Sequence, residues 1–314
     1  MKLSFRNTLR RSIGYLPFML CFTVLLFTPI FEQFVTWNAF YQIVLFIGVV
    51  CIPAYFTKRM SYVDIAWPWG LVLIGVLVLI FAEGYWLRTY CIAAMYVFCG
   101  LRMGIGALVL FKKGHLDTEL SRYQFQRIRW EKQGYPNENL SLQYEIMIQC
   151  FANITFLAMP AILQAFNPQD HISFLEILGY SFWFLFLIME HVADLQKQAF
   201  LKKSRLENKK RQVCNVGLWK YSRHPNYFAE WMVWNALILT SIPSLIHYQS
   251  NLDFLLWIGL LGSLLYVSRI MYTTLVYYTG AIPSEYYSVQ KRPDYRKHQE
   301  TTNMFFPGIP KKKN

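Results

Sequence analysis

Eight long apolar stretches, separated by short polar ones, set the pattern of this chain: roughly residues 13–31, 39–57, 65–82, 89–111, 146–166, 173–193, 227–247 and 253–279. Each is close to the roughly 20 residues that a helix needs to cross a hydrocarbon core. Lipid offers no hydrogen-bond partner to an exposed backbone, so such stretches must satisfy their own N–H and C=O groups as helices. The pattern therefore predicts an all-α, polytopic integral membrane helix bundle of about seven to eight transmembrane helices, forming a single domain over residues 1–314. The first stretch follows Lys2, Arg6, Arg10 and Arg11, as the core of a signal peptide would, but no small-residue cleavage site comes before Glu32, so a retained helix is expected.

Composition agrees with this reading: 55% of residues are apolar, 18% are aromatic and the mean hydropathy is +0.25, values that soluble domains rarely reach. The polar segments alternate in charge. Lys and Arg gather in the N-terminus, at Lys58 and Arg59, between Lys112 and Lys132, between Lys197 and Lys220, and in the tail from Lys291 to Lys313. The intervening segments carry Arg88 as their only Lys or Arg. Positive charge accumulates on the cytoplasmic side, so an even number of crossings predicts both termini in the cytoplasm. The closing Pro-Lys-Lys-Lys-Asn resembles an endoplasmic-reticulum retrieval signal only loosely, so a bacterial inner membrane is the expected location. The net charge of +13 then reflects topology and contact with anionic membrane lipids, and requires no nucleic acid. The six cysteines are scattered without C-x-x-C or His/Cys ligand spacing, so neither a metal nor a disulfide framework is expected. Cys214 alone falls in a cationic segment, where either an incidental thiol or a favoured thiolate is open.

Ionisable groups at membrane depth are rare and tend to be functional. Glu190, Asp194 and Lys197 recur at four- and three-residue spacing, hence on one helical face at the end of the sixth stretch. Lys197, Lys202, Lys203, Arg205, Lys209, Lys210 and Arg211 follow as a cationic loop suited to a phosphate-rich ligand, although some of these cations are ordinary flanking charge. The most informative string is Gly217 to Glu230, GLWKYSRHPNYFAE. Arg223 offers a planar fork of donors, His224 titrates near neutrality, and Pro225 pre-sets the first turn of the seventh helix, whose unpaired N–H groups favour an anion. A stop-transfer flank of charge and aromatic anchors is the plainer alternative. Glu230 lies on one helical face with Asn226 and Tyr227. Asp64 opens the third helix, either as an acid complementing its dipole or as a functional group. Arg102 and Arg269 are open to pairing within the bundle or to a site role. In the tail, Glu285, Tyr295, Arg296 and His298 precede Met304, Phe305 and Phe306, which read as a return to the membrane surface.

From about Glu190 onward, ADLQKQAF (Ala193–Phe200), GLWKYSRHPNYFAE and the closing RPDYRKH…FFP together resemble the steroid 5-alpha-reductase C-terminal superfamily, and within it the bacterial branch of uncharacterised membrane proteins (DUF1295-like). YVDIAWPWG (Tyr62–Gly70) and GLRMGI (Gly100–Ile105) resemble that branch more loosely. The resemblance implies a membrane-embedded reductase that uses NADPH to saturate a polarised C=C bond in a lipid or steroid-like substrate. Residues 190–310 would then form its cofactor-binding half. By position, Asp194, Asn226, Tyr227 and Glu230 resemble residues that hold the cofactor, and Trp219, Tyr221, Arg223 and His224 the neighbouring motif. Glu285 stands where the family places a contact after its last helix. With them go Lys197, Arg211, Tyr295 and Arg296 as cofactor-binding candidates.

The chain departs from the family where chemistry is expected. Eukaryotic steroid reductases place a ketone-polarising tyrosine three residues before an arginine, and the matching step back from Arg102 is Cys99. Tyr96, one turn earlier, is then a candidate proton donor, with Asp64 near the place of the family's early glutamate and Glu230 as the third catalytic candidate. An extra N-terminal helix also stands out against the seven-helix reductases. The alternative reading is an S-adenosylmethionine-dependent membrane methyltransferase of the isoprenylcysteine or phospholipid type, since those enzymes share an Arg-His-Pro-x-Tyr string before a membrane helix. A transporter predicts inverted repeats and broken helices, which the sequence does not display.

Overall fold

The computed structural model describes residues 5–135, 138–209 and 211–311, with the side chains of residues 5–8 outside that description. Lys2, Lys210, Lys312, Lys313 and the side chain of Arg6, counted above as flanking charge, lie outside the described residues. Among the described residues the chain is helical, without strands. Eight helical segments among the described residues are long and apolar enough to cross a membrane: Leu9–Leu26, Pro29–Thr57, Val63–Phe81, Trp86–Lys112, Glu138–Ala165, Phe174–Leu206, Pro225–Gln249 and Phe254–Lys291. The expected polytopic bundle is therefore found, with each predicted stretch inside or overlapping one of these segments.

Several spans are composite. The first is α1 (Phe5–Leu26). The second joins α2 (Glu32–Phe46) to α3 (Ile52–Thr57) through a widened π turn at Ile47–Cys51. Pro53, which has no N–H to continue the ladder, follows that turn at the start of α3, and the wide turn accommodates the missing bond. The third and fourth spans are α4 (Val63–Phe81) and α5 (Trp86–Lys112). The stretch between Lys112 and Lys132 holds an additional helix, α6 (Ser121–Lys132). The fifth span joins α7 (Glu138–Ile154) to α8 (Met159–Ala165), all of whose residues are buried.

The remaining helices are α9 (Phe174–Leu206), α10 (Pro225–Gln249), α11 (Phe254–Thr273), α12 (Ala281–Lys291) and α13 (Tyr295–Thr301). Here the structure corrects one expectation. Lys197, Lys202, Lys203 and Arg205 do not form a loop, because α9 runs on through them to Leu206. Gln, Lys, Ala, Leu and Arg are all good helix formers, so a helix that leaves the apolar phase here has no reason to stop.

The chain divides into two compact units, residues 1–176 with 240–267 and residues 177–239 with 268–314. In the first, α4 and α5 pack closely through small residues. A side chain at Gly100 would meet the Pro68 carbonyl and Val72, and one at Gly75 would meet the Ala93 carbonyl and Val97. Small residues let helix backbones approach in lipid, where no hydrophobic force favours the pair. Polar side chains at depth donate to backbone carbonyls of neighbouring helices. Gln42 Nε2 donates to the Gly70 carbonyl at 2.8 Å, Asn153 Nδ2 to the Trp67 carbonyl at 3.1 Å, and Asn38 Nδ2 to the Ile154 carbonyl at 3.2 Å.

Near the start of α5, Arg88 is buried and paired through Nε with Glu176, whose side chain is fully buried. Its other nitrogens donate to the carbonyls of Asn167 at 3.0 Å, Gln169 at 2.9 Å and His171 at 2.6 Å. One guanidinium thus fixes the segment between α8 and α9. Removing one member of such a pair strands a buried charge. Glu176→Ala is therefore expected to cost about 3–5 kcal/mol, read as a large drop in the unfolding midpoint in detergent, whereas the double replacement Arg88→Met with Glu176→Leu should recover much of the loss.

Candidate functional site

In the second unit the polar residues singled out in the sequence assemble around the N-terminus of α10. Gly217 starts a short 3-10 turn, Gly217–Lys220, at φ 54, a left-handed conformation that glycine adopts without strain. A side chain there would strike Gln196, whose Oε1 accepts the Leu218 N–H at 2.8 Å. Trp219 Nε1 donates to the Ala193 carbonyl at 2.8 Å, and the Lys197 ammonium lies 4.3 Å from the centre of the Trp219 ring. Asn226 Nδ2, in the first turn of α10, donates to Asp194 Oδ1 at 3.1 Å. One face of α9, from Ala193 to Lys197, is thereby bound to the motif. The Asn226 Oδ1 atom is buried and has no hydrogen-bond partner.

The carboxylate of Glu285, on α12, forms the second half of the assembly. It accepts Arg223 Nε at 2.7 Å and Nη2 at 3.1 Å, and Gln299 Nε2 at 2.7 Å, while His224 Nε2 lies 3.1 Å from its Oε1 in the position of an N–H donor. Arg223 Nη1 donates to the carbonyls of Gln299 at 3.1 Å and of Thr302. The backbone follows the side chains. Arg223 N–H donates to the Asn303 carbonyl and Gly308 N–H to that of Tyr221, both at 2.9 Å, and Ser222 Oγ donates to the Phe305 carbonyl at 2.9 Å. Phe305 is buried against Phe228, Trp231 and Tyr272, with ring centres 5.2–5.9 Å apart. The expected return of the tail is thus a docking of Phe305 onto α10 and α11.

The electrostatics follow from burial. The His224 imidazole is held below its ordinary value of 6.5, because desolvation outweighs the attraction of Glu285. Burial likewise lowers His298 and raises the hydroxyl of Tyr295. The Cys214 thiol is raised by burial in spite of Lys197, which favours an incidental thiol over a stabilised thiolate. The ring of Tyr227 stacks parallel to that of His224 at 5.3 Å, and Glu230 lies half-buried one turn beyond Asn226. Tyr221, Arg211 and Arg296 are exposed.

The other two candidates belong to the first unit. Asp64 sits in the first turn of α4, paired with Arg122 and accepting the Tyr123 hydroxyl at 2.5 Å. Tyr96 is buried in α5, and its hydroxyl donates to the Leu157 carbonyl at 2.5 Å. Because Val97 packs at Gly75, Tyr96 lies about 16 Å along α4 from Asp64 at 1.5 Å per residue, so the two are not brought together. Tyr123, Arg122, Ser222 and Gln299 escaped the sequence reading, since each is an ordinary polar residue whose partner is distant in sequence. Among the described residues no group of His, Cys, Asp and Glu could hold a metal ion.

These features define a multi-pass helical protein with a polar assembly built on its last helices. The model of the family described as "Protein of unknown function (DUF1295)" matches residues 51–302, and the chain belongs to that steroid 5-alpha-reductase-like family. It is also similar to an uncharacterized protein, C594.04c, of Schizosaccharomyces pombe, with 25% identity over 276 residues that cover 81% of this chain and 74% of the relative. No solved structure matches.

The buried imidazoles dictate a pH dependence. Their folded values lie below 6.5, so the unfolded chain binds protons first on acidification; stability is full above that value and falls as pH drops through the folded values. Unfolding midpoints in detergent should therefore decline from pH 7.5 to pH 5.5, and less steeply in His224→Gln, which keeps a donor for Glu285. Parallel declines in the two proteins would remove His224 from this account.

Proposed function

We propose that the protein is a membrane-embedded, NADPH-dependent reductase of a polarised C=C bond in a lipid or steroid-like substrate, in a bacterial inner membrane with both termini and the α10 mouth facing the cytoplasm. Family membership and the positive-inside pattern support this reading. The observation that carries it is Asn226 Oδ1, a buried acceptor without a donor, at a helix N-terminus. Leaving such an atom unmade costs about 1–3 kcal/mol, and an incoming carboxamide or ring amine would complete it.

When bound, NADPH would supply the hydride. The chain's own residues would do the rest. Asp194 orients the Asn226 amide, so that its oxygen points away from the Asp194 contact. Arg223 is committed to Glu285 and to backbone carbonyls, which makes it a positioning residue that holds the tail at the mouth, and leaves cofactor phosphates to Lys197 and the exposed arginines. Proton supply to a developing enolate oxygen needs a positioned donor in a dry site. Of the three candidates only Glu230 shares a helix with Asn226, one turn deeper. Glu230 is therefore the preferred candidate of the three.

Titration of the detergent-solubilised protein with NADPH, followed by tryptophan fluorescence, tests this. Asn226→Ala should weaken NADPH binding by about tenfold, the equivalent of one buried hydrogen bond, with little change in unfolding midpoint. Saturable binding of S-adenosylmethionine with none of NADPH would transfer the protein to the methyltransferase reading.

A further inference from the structure

Past the end of α9 the chain turns back to enclose an open cavity of about 290 Å3, which belongs wholly to the second unit and shares no residue with the Asn226–Glu285 assembly. Among the described residues, four that line it are cations, Arg205, Lys209, Arg211 and Arg292, and none is a carboxylate. Lys209 is neutralised by Glu207 at 2.9 Å. Among the described residues, Arg205, Arg211 and Arg292 have no acidic partner within ion-pair distance, and Arg292 is oriented by a 3.0 Å bond from Nη1 to Ser288 Oγ. Gathering like charges in one concavity is unfavourable unless a counter-anion shares it.

The rest of the lining narrows the chemistry. Ser204, Asn208 and Gln212 add neutral donors, and Phe200 and Leu201 form an apolar wall where α9 leaves the membrane-spanning stretch. Asn208 and Arg211 have φ of 51 and 63. Asn visits that region readily, but for arginine it is uncommon, so the loop holds Arg211 in a conformation that its residue type does not favour by itself. The volume, at the lower limit of ligand pockets, suits one headgroup-sized anion and is too small for an entire dinucleotide.

We infer that this cavity is a binding site for a phosphate monoester, held by Arg205, Arg211 and Arg292 with Ser204 beside them. A dianionic monoester matches both the surplus charge and the planar forks of three guanidinium groups. The group could be carried by an anionic lipid headgroup, with its chains along Phe200 and Leu201, or by a soluble nucleotide. The lipid source does not depend on the reductase reading, whereas a nucleotide source rests on it, because Arg211 is among the exposed arginines assigned above to cofactor phosphates.

Calorimetric titration of the full chain in neutral detergent distinguishes these sources. The probes are dihexanoyl phosphatidic acid below its micelle concentration and adenosine 2′-monophosphate, with dihexanoyl phosphatidylcholine and adenosine as zwitterionic-phosphodiester and phosphate-free controls. One monoester should bind saturably at one site, the probe that binds naming the source, and Arg211→Gln or Arg292→Gln should each weaken it about tenfold, as for a lost charge-assisted bond. Arg211 is exposed, so its replacement leaves the fold intact, and unchanged unfolding midpoints will verify that. No saturable binding of either monoester, or binding that survives both substitutions, would overturn the inference.

Discussion

The carboxylate of Glu285 is the point on which the second unit depends. It receives Arg223, His224 and Gln299 at once, and therefore ties α12 and α13 to the residues that open α10. A buried carboxylate is tolerated only when its lone pairs are filled. Here they are filled by residues from two sequence-distant segments, so the tail and the helix mouth are ordered together or not at all. Phe305, inserted among Phe228, Trp231 and Tyr272, adds apolar burial to the same closure.

This arrangement divides the GLWKYSRHPNYFAE motif into two kinds of residue. Trp219, Ser222, Arg223 and His224 face other parts of the protein and build the scaffold. Asn226 instead keeps a buried oxygen without a donor, and Glu230 follows it one turn deeper on the same helix. A basic motif before an apolar helix is therefore more than a charge flank. Its cations hold the tail in place, and its amide keeps a buried oxygen without a donor.

The spans were legible because lipid allows so few solutions: long apolar runs must be helices, and each of the eight runs corresponds to one. Boundaries in polar sequence were not. The cationic residues after Asp194 read as loop by polarity, yet their helix propensity carries α9 to Leu206. The π turn before Pro53 depends on how a missing N–H is accommodated, which no apolar count reveals. In the site, Asp194 was visible as an acid at a helix end and Asn226 as a face neighbour of Glu230 and through the family resemblance, and the two lie together. The role of Arg223 was not visible, because its partner Glu285 is far along the chain and phosphate and carboxylate attract the same guanidinium fork. Tyr96 is a candidate because it stands one helical turn before Cys99, where the resembling reductases have their tyrosine, and neither resemblance nor spacing shows that its hydroxyl meets the Leu157 carbonyl.

A double-mutant cycle on Arg223 and Glu285, using Arg223→Gln and Glu285→Gln and reading unfolding free energy in detergent, tests the closure most directly. The account predicts a coupling on the order of 1–3 kcal/mol between the two positions, as for residues sharing one buried network. Additive effects, with coupling below about 0.5 kcal/mol, would mean that the tail is held by something other than this carboxylate, and would contradict the account.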